Sequence, residues 1–97
     1  MRIEVHYDFT HKELVGGAEV LELTEGTRLG ELLHAIDAKI IRAGKEKGID
    51  TAYKTTLAGD QLNGCMVFVN GAAPGKMLEH ELHDGDRIEF VYGFCGG

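Results

Sequence analysis

The chain has 97 residues, 43% of them hydrophobic and 27% charged, with a formal net charge of -6 at pH 7. This length fits one globular domain with its own core and leaves little room for a second domain. The negative charge argues against nucleic acid or an anionic membrane as a partner, because like charges repel.

The ends and the cysteines bear on where the chain works. No export signal is visible at the start, and no apolar run is long enough to span a bilayer. Two cysteines, Cys65 and Cys95, allow at most one disulfide and are too few for the four thiolates of a plant-type iron–sulfur cluster. We therefore predict a cytoplasmic location.

The N-terminal segment predicts a β-hairpin. Residues 2–9 alternate strictly between apolar and polar side chains, which indicates a strand. Its predicted apolar face consists of Ile3, Val5, Tyr7 and Phe9. Gly16-Gly17 marks a turn, and residues 20–23 predict a shorter second strand.

A helix is predicted from about residue 28 to residue 46, with Thr27 as its N-cap and Gly48 as its stop. Apolar residues at helical spacing predict its buried stripe, which includes Leu29, Leu33, Ile36 and Ile40. The opposite, solvent side is predicted to carry Glu31, Asp37, Lys39, Arg42 and Lys45.

Residues 49–63 are predicted to form an ordered connection. The next five residues, 65–69, are apolar on both faces and predict a strand in the middle of a sheet or covered on both sides, with Cys65 as a small buried hydrophobic residue. Asn70-Gly71 predicts a hairpin turn, and Pro74 limits the partner strand to a short one.

The C-terminal part predicts a turn at residues 84–86 and a last strand over residues 87–92. Ile88, Phe90 and Tyr92 share one face of that strand. We divide the chain into a folded domain, residues 1–92, and a tail, residues 93–97. The element order predicts an α+β fold whose helix packs on one face of a mixed sheet.

Histidines are the candidates for a metal site. His6 and His11 are five residues apart, and His80 and His83 are three apart, but neither pair has the cysteines or carboxylates that complete a tetrahedral set. We predict no metal ion.

Three motifs carry a resemblance to a known family: Val67-Phe68-Val69-Asn70-Gly71, residues 82–88 (Leu-His-Asp-Gly-Asp-Arg-Ile), and the closing Gly96-Gly97. In this order and spacing the chain resembles the MoaD/ThiS family of β-grasp, ubiquitin-like sulfur carriers. The resemblance implies that an ATP-dependent enzyme adenylates the Gly97 carboxylate and that a sulfur donor protein then converts it to a thiocarboxylate. The carrier itself is then not an enzyme and binds no cofactor, since the partner uses the ATP.

The tail suits this role on physical grounds. Gly96 and Gly97 lack Cβ atoms and can thread a narrow channel, and we assign Gly93, at the start of the tail, to the same threading role. We predict that Phe94 and Tyr92 help to dock a partner. Cys95 precedes the diglycine and could take part in sulfur loading, but an incidental exposed thiol is the favoured explanation.

Several functions remain open at this stage. The leading hypothesis is sulfur delivery in molybdenum or tungsten cofactor biosynthesis, where a large synthase subunit would be a further partner. Carriers for thiamine, methionine or another sulfur metabolite end in the same way. A ubiquitin-like modifier would instead join Gly97 to a lysine, and a non-covalent β-grasp binding module would not need Gly97.

Overall fold

The structure is a computed structural model that describes residues 1–92. The tail, residues 93–97, lies outside the described residues, so the division into domain and tail stays a prediction. The helices are α1 (Lys12–Val15), which follows a 3-10 turn (Phe9–His11), and α2 (Leu29–Lys47). The strands are β1 (Arg2–His6), β2 (Ala18–Glu22), β3 (Leu57–Ala58), β4 (Gln61–Leu62), β5 (Cys65–Val69) and β6 (Arg87–Tyr92).

Four of these strands form one mixed sheet in the order β2-β1-β6-β5. β1 and β2 form the predicted antiparallel hairpin, while β6 runs parallel to β1 and antiparallel to β5. Side chains of α2 and of one sheet face make the core, and Leu29, Leu33, Ile36 and Ile40 of the predicted stripe are almost completely buried. The predicted α+β architecture, one main helix on one face of a mixed sheet, is therefore confirmed.

The first strand is shorter than predicted. β1 ends at His6, and Asp8 then caps the 3-10 turn by accepting a hydrogen bond from the Thr10 amide at 2.9 Å. As a result Phe9 lies outside the core with 85% of its surface exposed, so its place on the apolar face of the strand was wrong. Alternation continues through Phe9 in the sequence, but the capping aspartate ends the extended backbone first.

The N-cap of α2 is Arg28, one residue after the predicted Thr27. The Arg28 amide donates to Glu31 Oε1 at 2.9 Å, whereas the Thr27 hydroxyl donates to the Thr24 carbonyl at 2.6 Å and stabilises the preceding turn. At the other end Gly48 adopts the left-handed conformation (φ 69°) of a helix stop, as predicted.

β5 lies at an edge of the sheet, which corrects the prediction that it is central or covered on both sides. Its inward residues, including Cys65, are buried, but Met66 on the outward face is 50% exposed. The predicted turn after it is present, with positive φ at Asn70 (53°) and Gly71 (86°). The predicted short partner strand is reduced to a single bridge between Val69 and Ala72.

The connection over residues 49–63 is ordered and contains the small antiparallel hairpin β3–β4. Within residues 1–92, no helix has both the length and the apolar character that crossing a bilayer requires.

Candidate functional site at the end of β6

The predicted reactive residues all follow β6. Gly93, Phe94, Cys95, Gly96 and Gly97 lie outside the described residues, so the candidate site is defined by the surface from which they depart. β6 is hydrogen bonded on both sides, with Val5 opposite Ile88 in β1 and Cys65 opposite Tyr92 in β5. A tail attached to such a strand starts from a position fixed by the sheet rather than from a loop.

Tyr92, the last residue of β6, is anchored by backbone and side chain. Its amide donates to Asp8 Oδ1 at 3.3 Å, and its hydroxyl donates to the Thr55 carbonyl at 2.7 Å, with the Lys54 carbonyl at 3.1 Å. The half-buried phenol has a pKa raised well above its ordinary value, mainly by burial, so it stays protonated and keeps donating. Its predicted docking role stays a prediction, and the hydroxyl already has partners within the domain.

His11 underlies this anchor and was missed as a structural residue. The imidazole is fully buried, its ring lies 5.0 Å from the Tyr92 ring, and Nε2 lies 2.9 Å from the Lys54 carbonyl, to which it must donate. Nδ1 then keeps a lone pair, and it has no hydrogen-bond partner among residues 1–92. Burial lowers the pKa of His11, because desolvation disfavours the charged imidazolium. A proton on Nδ1 would also have no acceptor among these residues.

The two N-terminal histidines considered as a metal pair lie in different surroundings. His6 hydrogen bonds Glu4 at 2.8 Å on the partly exposed side of β1, whereas His11 is in the core. In the described part of the chain, no group of three or more histidine, cysteine or acidic side chains is placed to hold a metal ion.

Asp37 organises the segment that receives the Tyr92 hydroxyl. It was predicted on the solvent side of the helix, but it is only 8% exposed, which corrects that prediction. Its Oδ1 accepts from the Thr56 amide at 2.6 Å and from the Thr56 hydroxyl at 2.8 Å, and its Oδ2 accepts from the Leu57 amide at 3.0 Å. The carboxylate therefore holds residues 56–57, and with them the neighbouring carbonyls of Lys54 and Thr55, against α2.

Met66, Phe68 and Val91 form an apolar patch on the open face of the sheet, which we call the β5–β6 patch. Met66 pairs directly with Val91 across the strands, and they are 50% and 47% exposed. Phe68 lies two residues from Met66 on the same face and is half-buried. The patch ends one residue before Tyr92, so a protein that binds it also meets the start of the tail.

The sequence was compared with family models and with curated proteins. The family model described as the ThiS family matches residues 7–97, all but the first six residues. No curated protein sequence matches the chain significantly.

Solved structures share the fold at low sequence identity. SAMP1 from Haloferax volcanii is 16% identical with a TM-score of 0.71, and the match covers 100% of both chains. A putative molybdopterin converting factor subunit 1 from Pyrococcus furiosus is 24% identical with a TM-score of 0.64, covering 93% of this chain and 94% of that one. A chain from the complex of molybdopterin-converting factor subunits 1 and 2 of Helicobacter pylori is 23% identical with a TM-score of 0.58, covering 100% of both.

These structures support the β-grasp fold, and the family model covers nearly the whole sequence. The chain therefore belongs to the ThiS family of small β-grasp sulfur carriers.

Proposed function

We propose that this protein carries sulfur as a thiocarboxylate on Gly97. A Gly97 carboxylate oxygen attacks the α-phosphorus of ATP in a partner enzyme, and pyrophosphate leaves. Hydrosulfide, supplied by a sulfur donor protein, then attacks the acyl carbon. The bond between that carbon and the phosphate oxygen breaks, and AMP leaves. The product is a thiocarboxylate, and no oxidant or reductant is needed when the sulfur arrives as hydrosulfide.

The observation that carries this proposal is the continuity of the family match through the tail to Gly97, from a strand end fixed by the sheet. Tyr92 supports it, because its amide and hydroxyl contacts hold the base of the tail in place. Five residues then extend up to roughly 16 Å, far enough to enter another protein's active site. Glycine at the last two positions leaves the acyl carbon unhindered.

Molybdenum or tungsten cofactor biosynthesis is the pathway we propose first. The Pyrococcus furiosus and Helicobacter pylori structures are both named as molybdopterin-converting factor subunits, which is why this pathway is proposed first. At 24% and 23% identity they support the fold, so the sulfur acceptor itself has to be measured.

We propose the β5–β6 patch as the surface that docks the adenylating enzyme and, later, a large synthase subunit. The Helicobacter pylori protein occurs in a complex of its two subunits, which makes a second subunit a reasonable partner here. Exposed Met66 and Val91 supply apolar area beside the tail, while Glu89 and Arg87 contact each other at 3.3 Å along the same strand. All of these partners fit a cytoplasmic protein.

The decisive experiment is intact-mass spectrometry of the protein purified from its own host. We expect a chain ending at Gly97 with one oxygen replaced by sulfur. The same product should form in vitro with ATP, hydrosulfide and the adenylating enzyme of that host, and Gly97 deletion should abolish it. Gly17→Ala is the matched control, since Gly17 is exposed and has open space where a Cβ would lie.

Docking is tested in the same reaction. Met66→Ser with Val91→Ser should raise the KM for the carrier, whereas Val20→Ser should not, because Val20 is 46% exposed on the far edge strand β2. A native chain that extends past Gly97 without trimming, or that never gains sulfur, would reject the carrier role.

The second candidate is a protein modifier. It is favoured by the TM-score of 0.71 to SAMP1, which the related structure of the same organism describes as a small archaeal modifier protein. Both uses begin with the same adenylate and differ in the acceptor. An isopeptide bond from Gly97 to a lysine, instead of a thiocarboxylate, would identify the modifier.

A further inference from the structure

A cleft of about 430 Å³, which we call the Phe9 cleft, lies between the start of α1 and the segment before β3. It is lined by Phe9, Thr10, Lys12, Glu13 and Lys54. Phe9 is 85% exposed, although burying such a side chain would stabilise the fold. An aromatic ring left open beside a cleft is the kind of apolar area that a partner protein covers.

Hydrogen bonds hold the two walls of the Phe9 cleft in fixed positions. In the first wall, the Asp8 carboxylate accepts from the Thr10 amide at 2.9 Å and so fixes the 3-10 turn that carries Phe9. The buried His11 ring, at the end of the same turn, joins this wall to the second one, because its Nε2 donates to the Lys54 carbonyl at 2.9 Å. A partner therefore meets preformed walls, which lowers the ordering cost of binding.

The Phe9 cleft is locally positive although the chain as a whole is negative. Lys12 and Lys54 contribute two cations to its lining and Glu13 contributes one carboxylate, whereas the net charge of the chain is -6. Neither of these lysines is in a salt bridge among residues 1–92. The Lys47 ammonium adds a positive charge close by, because it donates to the main-chain carbonyl of Glu13. An apolar side chain flanked by carboxylates complements this lining.

The Phe9 cleft lies at the base of the tail, on the helix side of the sheet. The Tyr92 amide donates to Asp8 Oδ1 at 3.3 Å, directly before Phe9, and the Tyr92 hydroxyl lies 3.1 Å from the Lys54 carbonyl. Successive strand residues point to opposite faces, so the β5–β6 patch, which contains Val91, lies on the other side of the same strand end. A protein that takes up the tail can therefore contact both surfaces at once.

We propose that the Phe9 cleft docks a segment of the adenylating enzyme that places an apolar side chain against Phe9 and carboxylates beside Lys12 and Lys54. The proposal rests on the proposed function in taking that enzyme as a partner. Charge selects this occupant, since an acidic segment is attracted to the cleft and repelled by the rest of this acidic chain. The cleft thereby favours one orientation of the enzyme, in which the β5–β6 patch and the base of the tail are also within its reach.

Isothermal titration calorimetry of the full-length chain with the purified adenylating enzyme of its host, without ATP, tests this docking. We expect Phe9→Ser to raise the dissociation constant about tenfold, as is common for an aromatic residue that a partner covers. Tyr53→Ser is the matched control, because Tyr53 is 83% exposed and adjoins Lys54 in the chain but does not line the cleft. It should leave the dissociation constant unchanged.

Charge reversal tests the chemistry of the docked segment. Lys12→Glu with Lys54→Glu should raise the dissociation constant about tenfold or more at low salt. Lys45→Glu with Lys76→Glu makes the same charge change at exposed lysines outside the cleft and should raise it far less. The difference between the two double variants should shrink as salt is added, because salt screens exposed charges. Tighter binding by the cleft variant would show that a basic segment docks there and would overturn the proposal.

Far-ultraviolet circular dichroism establishes that each variant is folded, and Lys12→Glu alone, at an exposed site of α1, replaces the double variant should the latter unfold. Equal dissociation constants for the native chain, Phe9→Ser and Lys12→Glu, or no binding by the native chain, would overturn the proposal. Equal constants would leave thiocarboxylate formation at Gly97 standing, because the mass experiment measures it separately. Binding that depends on the cleft, without any thiocarboxylate in the mass experiment, would reject the proposed function alone.

Discussion

The buried carboxylate of Asp37 gives the sharpest stability prediction. Asp37→Ala removes one acceptor group that serves three donors, namely the Thr56 amide, the Thr56 hydroxyl and the Leu57 amide. The two amides and the carboxylate are buried, so water does not simply replace the lost partner. The change tests whether α2 holds the segment before β3 through this one side chain.

The magnitude follows from the number and kind of bonds. Hydrogen bonds to a charged group contribute about 1.5–3 kcal/mol each, but bonds that share one carboxylate do not add fully. We therefore expect Asp37→Ala to lower the free energy of unfolding by roughly 3–5 kcal/mol, a large share of the ~5–15 kcal/mol of a typical domain. Asp37→Asn keeps one carbonyl oxygen for Thr56 and should lose about half as much.

Urea denaturation followed by far-ultraviolet circular dichroism measures this effect. With a slope of about 1–2 kcal/mol per molar urea, the Asp37→Ala midpoint should fall by roughly 1.5 M or more. The matched control is Glu46→Ala, which makes the same charge change at an exposed site on the same helix and should change stability by less than about 0.5 kcal/mol. If the two variants had equal midpoints, the tethering role of Asp37 would be refuted.

Two further predictions concern packing and pH. Gly44→Ala should lower the free energy of unfolding by about 1–2 kcal/mol despite the better helix propensity of alanine, because the added Cβ would overlap the Thr51 methyl group. The control Gly17→Ala has open space for its Cβ and should leave the free energy unchanged. Equal urea midpoints for the two variants would contradict this. The second prediction concerns His11, whose pKa is lowered in the folded state, so below about pH 6.5 the unfolded chain binds a proton that the folded chain does not. The free energy of unfolding should therefore fall as pH drops from 7 to 5, and the gap between the native chain and His11→Gln should narrow over that range; a constant gap would show that His11 does not contribute.

The elements that could be predicted are those encoded by neighbouring residues. The turn at Asn70-Gly71 and the turn before β6 follow from residues that tolerate positive φ, and Gly85 has φ 87° as such a turn requires. The structure adds that the Asn70 side chain joins the two turns: its Nδ2 donates to Asp86 Oδ1 at 2.8 Å, and its Oδ1 accepts from the Arg87 main-chain amide at 2.9 Å. This cross-link gives a physical reason why the two motifs occur together in the chain.

The features that could not be predicted depend on partners distant in the sequence. Asp37 is buried because its donors lie 19 and 20 residues further on, and helical periodicity carries no information about them. His11 is buried because Tyr92 and Lys54 close over it, 81 and 43 residues away. The edge position of β5 was missed for another reason: an apolar strand suggests coverage on both faces, whether the cover is the protein's own core or a partner.

That ambiguity bears on how the domain would work as a carrier. The sheet places β6 between β1 and β5, so the base of the tail is held on both sides while β5 remains an edge. Met66 and Val91 are apolar, yet about half of each side chain is exposed in the described domain. Exposed apolar residues of this kind are expected where another protein covers them. A partner bound to this patch would contact Val91, which directly precedes Tyr92 at the base of the tail. The anchored Tyr92 would then fix the direction from which Gly97 approaches the partner's active site.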